Sequence, residues 1–196
     1  MAKRKQWSDM NRKEKTSGLI GLVIIVIVIL GIVGAILSGS KKTANNQANP
    51  STPSSSTAAQ STLAQVVAWN NKYGDILTNL GNDSSKIGTD ANNSNFTALE
   101  TDCKQLQTDA TAGINAPSFP DASVSQHLSS AYTYFQQDGQ ECASGAQDYI
   151  NGTANSDVGL INQSTSEFNT STSDTKAGTT QLDDATTAIN NLTSQN

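Results

Sequence analysis

The chain reads as all-α: a single N-terminal transmembrane helix, a flexible linker, then an antiparallel three- or four-helix bundle. Three observations predict this. Gly18 to Leu37 carries no charge and is dominated by Ile, Val and Leu, enough to cross a hydrocarbon core of about 30 Å as a helix. From Thr62 onward the apolar residues recur at alternating steps of three and four, the signature of helices packed along a seam. Polar breaks, one of them braced by two prolines, cut that pattern into pieces of helical length.

Residues 1–17 form a basic tail in which Lys3, Arg4, Lys5, Arg12, Lys13 and Lys15 face only Asp9 and Glu14. Beyond the apolar run stand Lys41 and Lys42, followed by a long neutral stretch, so the positive-inside rule places the N-terminus in the cytoplasm and the remainder outside. The expected localisation is the plasma membrane with an extracytoplasmic C-terminal domain. A cleaved secretory signal is the alternative, because Ser38-Gly39-Ser40 offers small residues for a peptidase, but residues 18–37 exceed the usual length of such an apolar core. Gly31, Ala35 and Gly39 stand four apart, the spacing that lets two membrane helices approach and so admits a homo-oligomer.

Residues 38–61 are mostly Asn, Gln, Ser, Thr and Ala with Pro50 and Pro53, and read as a flexible polar linker. The bundle is expected over 62–193. Past Thr43 only Lys72, Lys86, Lys104 and Lys176 oppose the acids, so this part of the chain is strongly negative. Nucleic acid is thereby excluded as a partner, since phosphate contacts need clustered Lys and Arg.

The first predicted helix opens on a capping box at Thr62-Leu63-Ala64-Gln65 and carries Val66, Asn70, Tyr73, Leu77, Leu80, Ser84, Ile87 and Ala91 on its stripe. A break through Asn92-Asn93-Ser94-Asn95, a kink or a turn, shifts the phase. A second helix with Leu99, Cys103, Leu106 and Ala110 runs to about Asn115. Pro117, Pro120 and Asp121 then make the clearest turn between helices, because two prolines stop one helix and the aspartate caps the next. The third stripe is Val124, Leu128, Ala131, Phe135, Cys142 and Tyr149, with a stop at Asn151-Gly152. The last, from about Asn155 to Leu192, carries Ile161, Thr165, Phe168, Thr172, Thr175, Thr179, Leu182, Thr186 and Ile189. Half of that seam is threonine, which can bury its methyl while its hydroxyl returns to the preceding turn.

Two glycine series recur every seven residues, Gly74, Gly81 and Gly88 beside the first seam and Gly145, Gly152 and Gly159 near the third. They mark either close helix approach or chance in a polar chain. Cys103 and Cys142 both fall on apolar stripes outside the reducing cytoplasm, so a disulfide is the natural reading. A tight hairpin would hold them at different heights, but residues 113–121 in extended form can cross sideways and bring them level. An intermolecular bridge and two buried thiols are the other arrangements.

Cys103 with Leu106 three residues on, the turn Ala-Pro-x-x-Pro-Asp through Pro117, Pro120 and Asp121, and Glu-Cys-Ala-Ser-Gly-Ala around Cys142 and Gly145 together resemble a group of actinobacterial membrane-anchored cell-envelope proteins. The group carries a two-cysteine helical domain behind a secretion signal or anchor. The resemblance spans roughly Leu63 to Ile189 and implies a fold and a compartment, not an activity.

No catalytic residue, metal ligand set or cofactor motif is expected. His127 is the only histidine and reads as a helix-surface residue. Asp183 and Asp184 are sequence neighbours that point to different helix faces and cannot act as an acid and base across a cleft. Phosphate-binding loops, nucleophile elbows and zinc spacings are missing from the sequence. The expected function is therefore a binding or interaction module at the envelope, with a protein or cell-wall partner. A sensor or regulatory subunit of a membrane complex is the second reading, weakened by a short cytoplasmic tail.

Overall fold

The computed structural model describes residues 55–194, with side chains placed from 64 to 192. They form four helices, α1 (Ser55–Asn93), α2 (Phe96–Asn115), α3 (Ala122–Asn155) and α4 (Val158–Ser194), and no strand occurs among them. No helix among the described residues is long and apolar enough to cross a membrane. The apolar run 18–37, its small-residue face at Gly31, Ala35 and Gly39, and most of the linker lie outside them.

Each reversal is built from residues suited to it. Ser94 adopts a left-handed φ of 55°, and Asn95 caps α2 by accepting from the Ala98 amide. The Asn-rich break is thus a turn. Asp121 caps α3, its carboxylate accepting from the Val124 amide at 3.0 Å. At the third reversal Ser156 is again left-handed, while Asp157 Oδ1 accepts from the Gly159 and Leu160 amides and satisfies donors that the start of α4 leaves free.

Pairings across the interfaces give one register throughout. Asp83 meets Asp109 and Asp90 meets Asp102 between α1 and α2. Cys103 meets Cys142, and Thr111 accepts from Gln136, between α2 and α3. His127 meets Gln181, Asp138 meets Ser171, and Ser144 meets Glu167 between α3 and α4. In every case later residues pair with earlier ones, so successive helices run antiparallel.

Four expectations need correction. α1 begins at Ser55, so Thr62 to Gln65 lie inside the helix rather than at its cap. Asn151-Gly152 does not stop α3, which continues to Asn155 because Gly152 is buried against Ile161 of α4. Trp69 rather than Asn70 is buried in the first seam. In the last, Ser164, Ser171 and Gly178 are buried, whereas Thr172 is exposed. Small residues at those three positions let α4 lie close to α3, and the neighbouring threonines return their hydroxyls to the chain four residues earlier, as Thr165, Thr172, Thr179 and Thr186 do.

The core is two apolar clusters with a polar layer between them. The larger gathers Trp69, Leu77, Leu80, Leu106, Phe119, Leu128, Tyr132, Phe135, Leu182 and Ile189. Around the cystine the smaller collects Leu99, Cys103, Cys142, Ala143 and Ala146, with Phe96 and Phe168 against it. At the level where they meet, the register places the buried Asp83 and Ser84 of α1, Asp138 of α3 and Ser171 of α4 at one height along the bundle.

Candidate functional site

α2 is the shortest helix, and the segment 116–121 fills the layer it leaves open. Phe119 is buried there with its ring centroid 5.0 Å from that of Trp69, edge to face. The Trp69 indole N–H donates to the Pro117 carbonyl at 2.8 Å. Pro117 and Pro120 therefore do more than end a helix: they hold an extended strap whose buried Phe119 joins the core. Trp69→Ala removes both ring packing and the bond to the strap, and a loss of about 3 to 4 kcal/mol is expected in chemical denaturation, against about 1 kcal/mol or less for Asn70→Ala beside it.

The same strap explains how the cysteines come level. α3 starts beyond the end of α2, so residues late in α3 face Cys103. Cys103 and Cys142 are bonded, with Cα atoms 5.7 Å apart. Both are buried. One turn before Cys142, Gly139 faces the α2 backbone, where a Cβ would stand 2.6 Å from the Cys103 carbonyl oxygen and 2.6 Å from the Gln107 nitrogen. α2 and α3 thus touch backbone to backbone at the cystine. Of the repeating glycines, Gly145 and Gly152 do face another helix, through Phe168 and Ile161, whereas Gly74 and Gly159 meet only Asn70 and Asp157 of their own neighbourhoods.

Among the described residues, Asp138 is the buried carboxylate whose two oxygens are both satisfied by helix α4. Ser171 donates to Oδ1 at 2.6 Å and Thr175 to Oδ2 at 2.7 Å. Burial pushes its pKa up to about 6, partly offset by the two hydroxyls and raised further by Asp174. Because the folded value lies above the unfolded one near 4, this group favours the fold fully below about pH 4, and the benefit is lost as pH rises through about 6. Asp138→Asn keeps a partner for each hydroxyl and removes the charge. It is expected to raise stability at pH 8 by on the order of 2 kcal/mol and to flatten the change seen between pH 4 and 7 in urea titrations.

Carboxyls also face one another across the helix interfaces. Asp83 lies within side-chain hydrogen-bond reach of Asp109, Asp90 of Asp102, and Asp148 of Glu167. Asp83 Oδ2, Asp148 Oδ2 and Glu167 Oε2 are buried atoms with no donor. Two carboxylates cannot bond without a proton between them, so each pair holds its members together only in the protonated form. Alongside the Asp90–Asp102 pair runs a polar groove of about 460 Å³ lined by Asn82, Ser85, Lys86, Thr89, Asp90 and Asp102.

His127 Nδ1 is 3.0 Å from Gln181 Oε1 and 3.9 Å from Asp184 on α4, so the structure places it at a helix–helix edge. Asp183 and Asp184 are both exposed. No grouping of three or more His, Cys, Asp or Glu able to hold a metal ion occurs among the described residues. Sequence reasoning missed Trp69, Phe119, Asp138, Gly139 and the carboxyl pairs. One of these carried a signal: the stripe from Phe135 to Cys142 lacks its intermediate apolar residue, and Asp138 and Gly139 occupy that step.

No family model, no curated protein and no solved structure matches this chain.

Proposed function

We propose that this chain is a single-pass membrane protein, N-terminus in the cytoplasm, whose helical ectodomain is a binding module at the cell envelope and performs no chemistry of its own. The observation that carries the reading is the Cys103–Cys142 bond buried within the bundle, since structural disulfides persist in oxidising compartments and are rare in the cytosol. The uncharged run 18–37 with its basic flank agrees with that placement. Open polar grooves along α1 and α2, lined by amides, hydroxyls and acids, suit contact with a protein surface or a hydroxyl-rich wall polymer better than enclosure of a small apolar molecule.

Crosslinking in intact cells followed by isolation of the full chain tests the binding reading. One partner, captured in an amount that saturates with crosslinker and is lost when groove residues Asn82 and Thr101 are replaced by Lys, is the expected result. A chain that captures nothing, or the same background with both variants, identifies a passive spacer instead.

The second reading, a sensor, is favoured by a specific feature: two carboxyls raised above their ordinary range, Asp83 and Asp90, sit on α1, the described helix nearest in sequence to the apolar run 18–37.

A further inference from the structure

Asp83 and Asp90 lie seven residues apart on α1, and Asp102 and Asp109 lie seven apart on α2. Seven residues are two helical turns, so each pair stands on one face of its helix. The antiparallel register then sets Asp83 against Asp109 and Asp90 against Asp102, an acidic ladder with two rungs across one seam. Lys86 is the cation that acts on Asp83. It bonds Asp83 Oδ1 at 3.1 Å and acts at longer range on Asp102 and Asp109.

Asp83 is only 2 % exposed and its second oxygen has no donor. An ionised pair there leaves a buried oxygen unsolvated beside a like charge, whereas one shared proton converts the same contact into a hydrogen bond. The seam is also the one that can yield. The cystine and the Gly139 contact bind α2 to α3, and α3 packs along the length of α4, but α1 has no covalent link to the others and a smaller contact with α2.

We propose that the α1–α2 seam is a proton-operated latch: in acid, shared protons on the Asp83–Asp109 and Asp90–Asp102 rungs hold α1 against α2, and loss of those protons loosens α1 from the rest of the bundle. Burial, then the Asp109 contact, push Asp83 up to about 6 against the opposing pull of Lys86, and burial followed by Asp102 raises Asp90. A folded value above the unfolded one means that the hold is complete below about pH 4 and is lost as pH climbs through about 6. Asp174 raises Asp138 across the α3–α4 interface, and neither acts on Asp83 or Asp90.

Hydrogen exchange measured by mass spectrometry on the full chain in detergent reads the latch locally. After correction for the intrinsic pH dependence of exchange, protection of peptides covering 82–93 and 97–109 is expected to fall at least tenfold between pH 5 and pH 8, tenfold for each unit by which a carboxyl is shifted. Peptides from α4 change less. Asp83→Asn with Asp90→Asn is expected to hold the pH 8 protection at the wild-type pH 5 level. Asp102→Asn, at a partly exposed position where misfolding is not expected, should remove part of the dependence by itself. The proposal is overturned if the seam is equally protected at both pH values, if the Asn variants keep the wild-type fall, or if added calcium restores protection at pH 8 in the wild type. The last outcome would make the ladder a cation bridge.

Discussion

Replacing Cys103 and Cys142 together by alanine is expected to lower the thermal midpoint of the bundle by about 15 °C. The bond closes a loop spanning a sequence separation of 39, and in the chain-entropy model a closure of that size removes about 4 kcal/mol of unfolded-state freedom. A thin core makes the bridge more than an accessory. Only 23 Leu, Ile, Val and Phe occur between residues 61 and 196, and the cluster around the cystine consists otherwise of one leucine and two alanines, with Phe96 and Phe168 beside them. Alanine is the suitable replacement because serine would bury two hydroxyls in that cluster. Circular-dichroism melts with and without reductant provide the check: the variant should melt with the reduced wild type and ignore the reductant. A variant that melts with the oxidised wild type contradicts the assignment.

Gly139→Ala is expected to cost about 3 kcal/mol, the upper end for overpacking, although alanine ordinarily stabilises a helix over glycine by up to about 1 kcal/mol. The sign follows from what the new methyl meets. At 2.6 Å from the Cys103 carbonyl oxygen and the Gln107 nitrogen, it strikes backbone, which has no rotamer to escape into, so α2 and α3 must separate where the cystine holds them. Gly145→Ala is the contrast. Its methyl would meet the Phe168 ring at 3.1 Å, a side chain that can shift by a few tenths of an ångström, and a change within about 1 kcal/mol is expected. Urea midpoints of the two variants, measured side by side, separate these cases. Equal midpoints would show that α2 and α3 do not approach as closely as described.

Much of this architecture was legible in the residues because local chemistry set it. Asp121 after two prolines could only cap a new helix, and the end of α2 at Asn115 fell where its apolar stripe ran out. What escaped detection depended on the three-dimensional neighbourhood. Asn151-Gly152 has the composition of a stop, yet Ile161 from the returning helix covers Gly152 and α3 continues. Along α4 the threonines that share a stripe lie one position beside the buried serines and Gly178, because that helix packs on small residues rather than on β-branched ones. Asp138 had the appearance of a gap in an apolar pattern. Its role emerges only when Ser171 and Thr175 arrive from another helix to bond it. The carboxyl pairs were hidden for the same reason, since acids far apart in sequence become neighbours only through the register of the hairpins.

Those pairs and Asp138 give the domain a common dependence on pH. Asp83 and Asp138, both in the polar layer, are pushed up to about 6 chiefly by burial, so the fold is expected to be more stable in mild acid than at pH 8. Apolar replacement of the layer would give more stability at neutral pH and less response to protons.

The most direct test is trypsin treatment of intact cells followed by non-reducing mass spectrometry of what is released. Cleavage after Lys86, Lys104 and Lys176 yields peptides 87–104 and 105–176, which carry Cys103 and Cys142 respectively. The account predicts that they appear outside the cells as one disulfide-linked species that resists alkylation until reduced. A polypeptide protected from trypsin until the cells are opened, with both thiols free to alkylate, would contradict it.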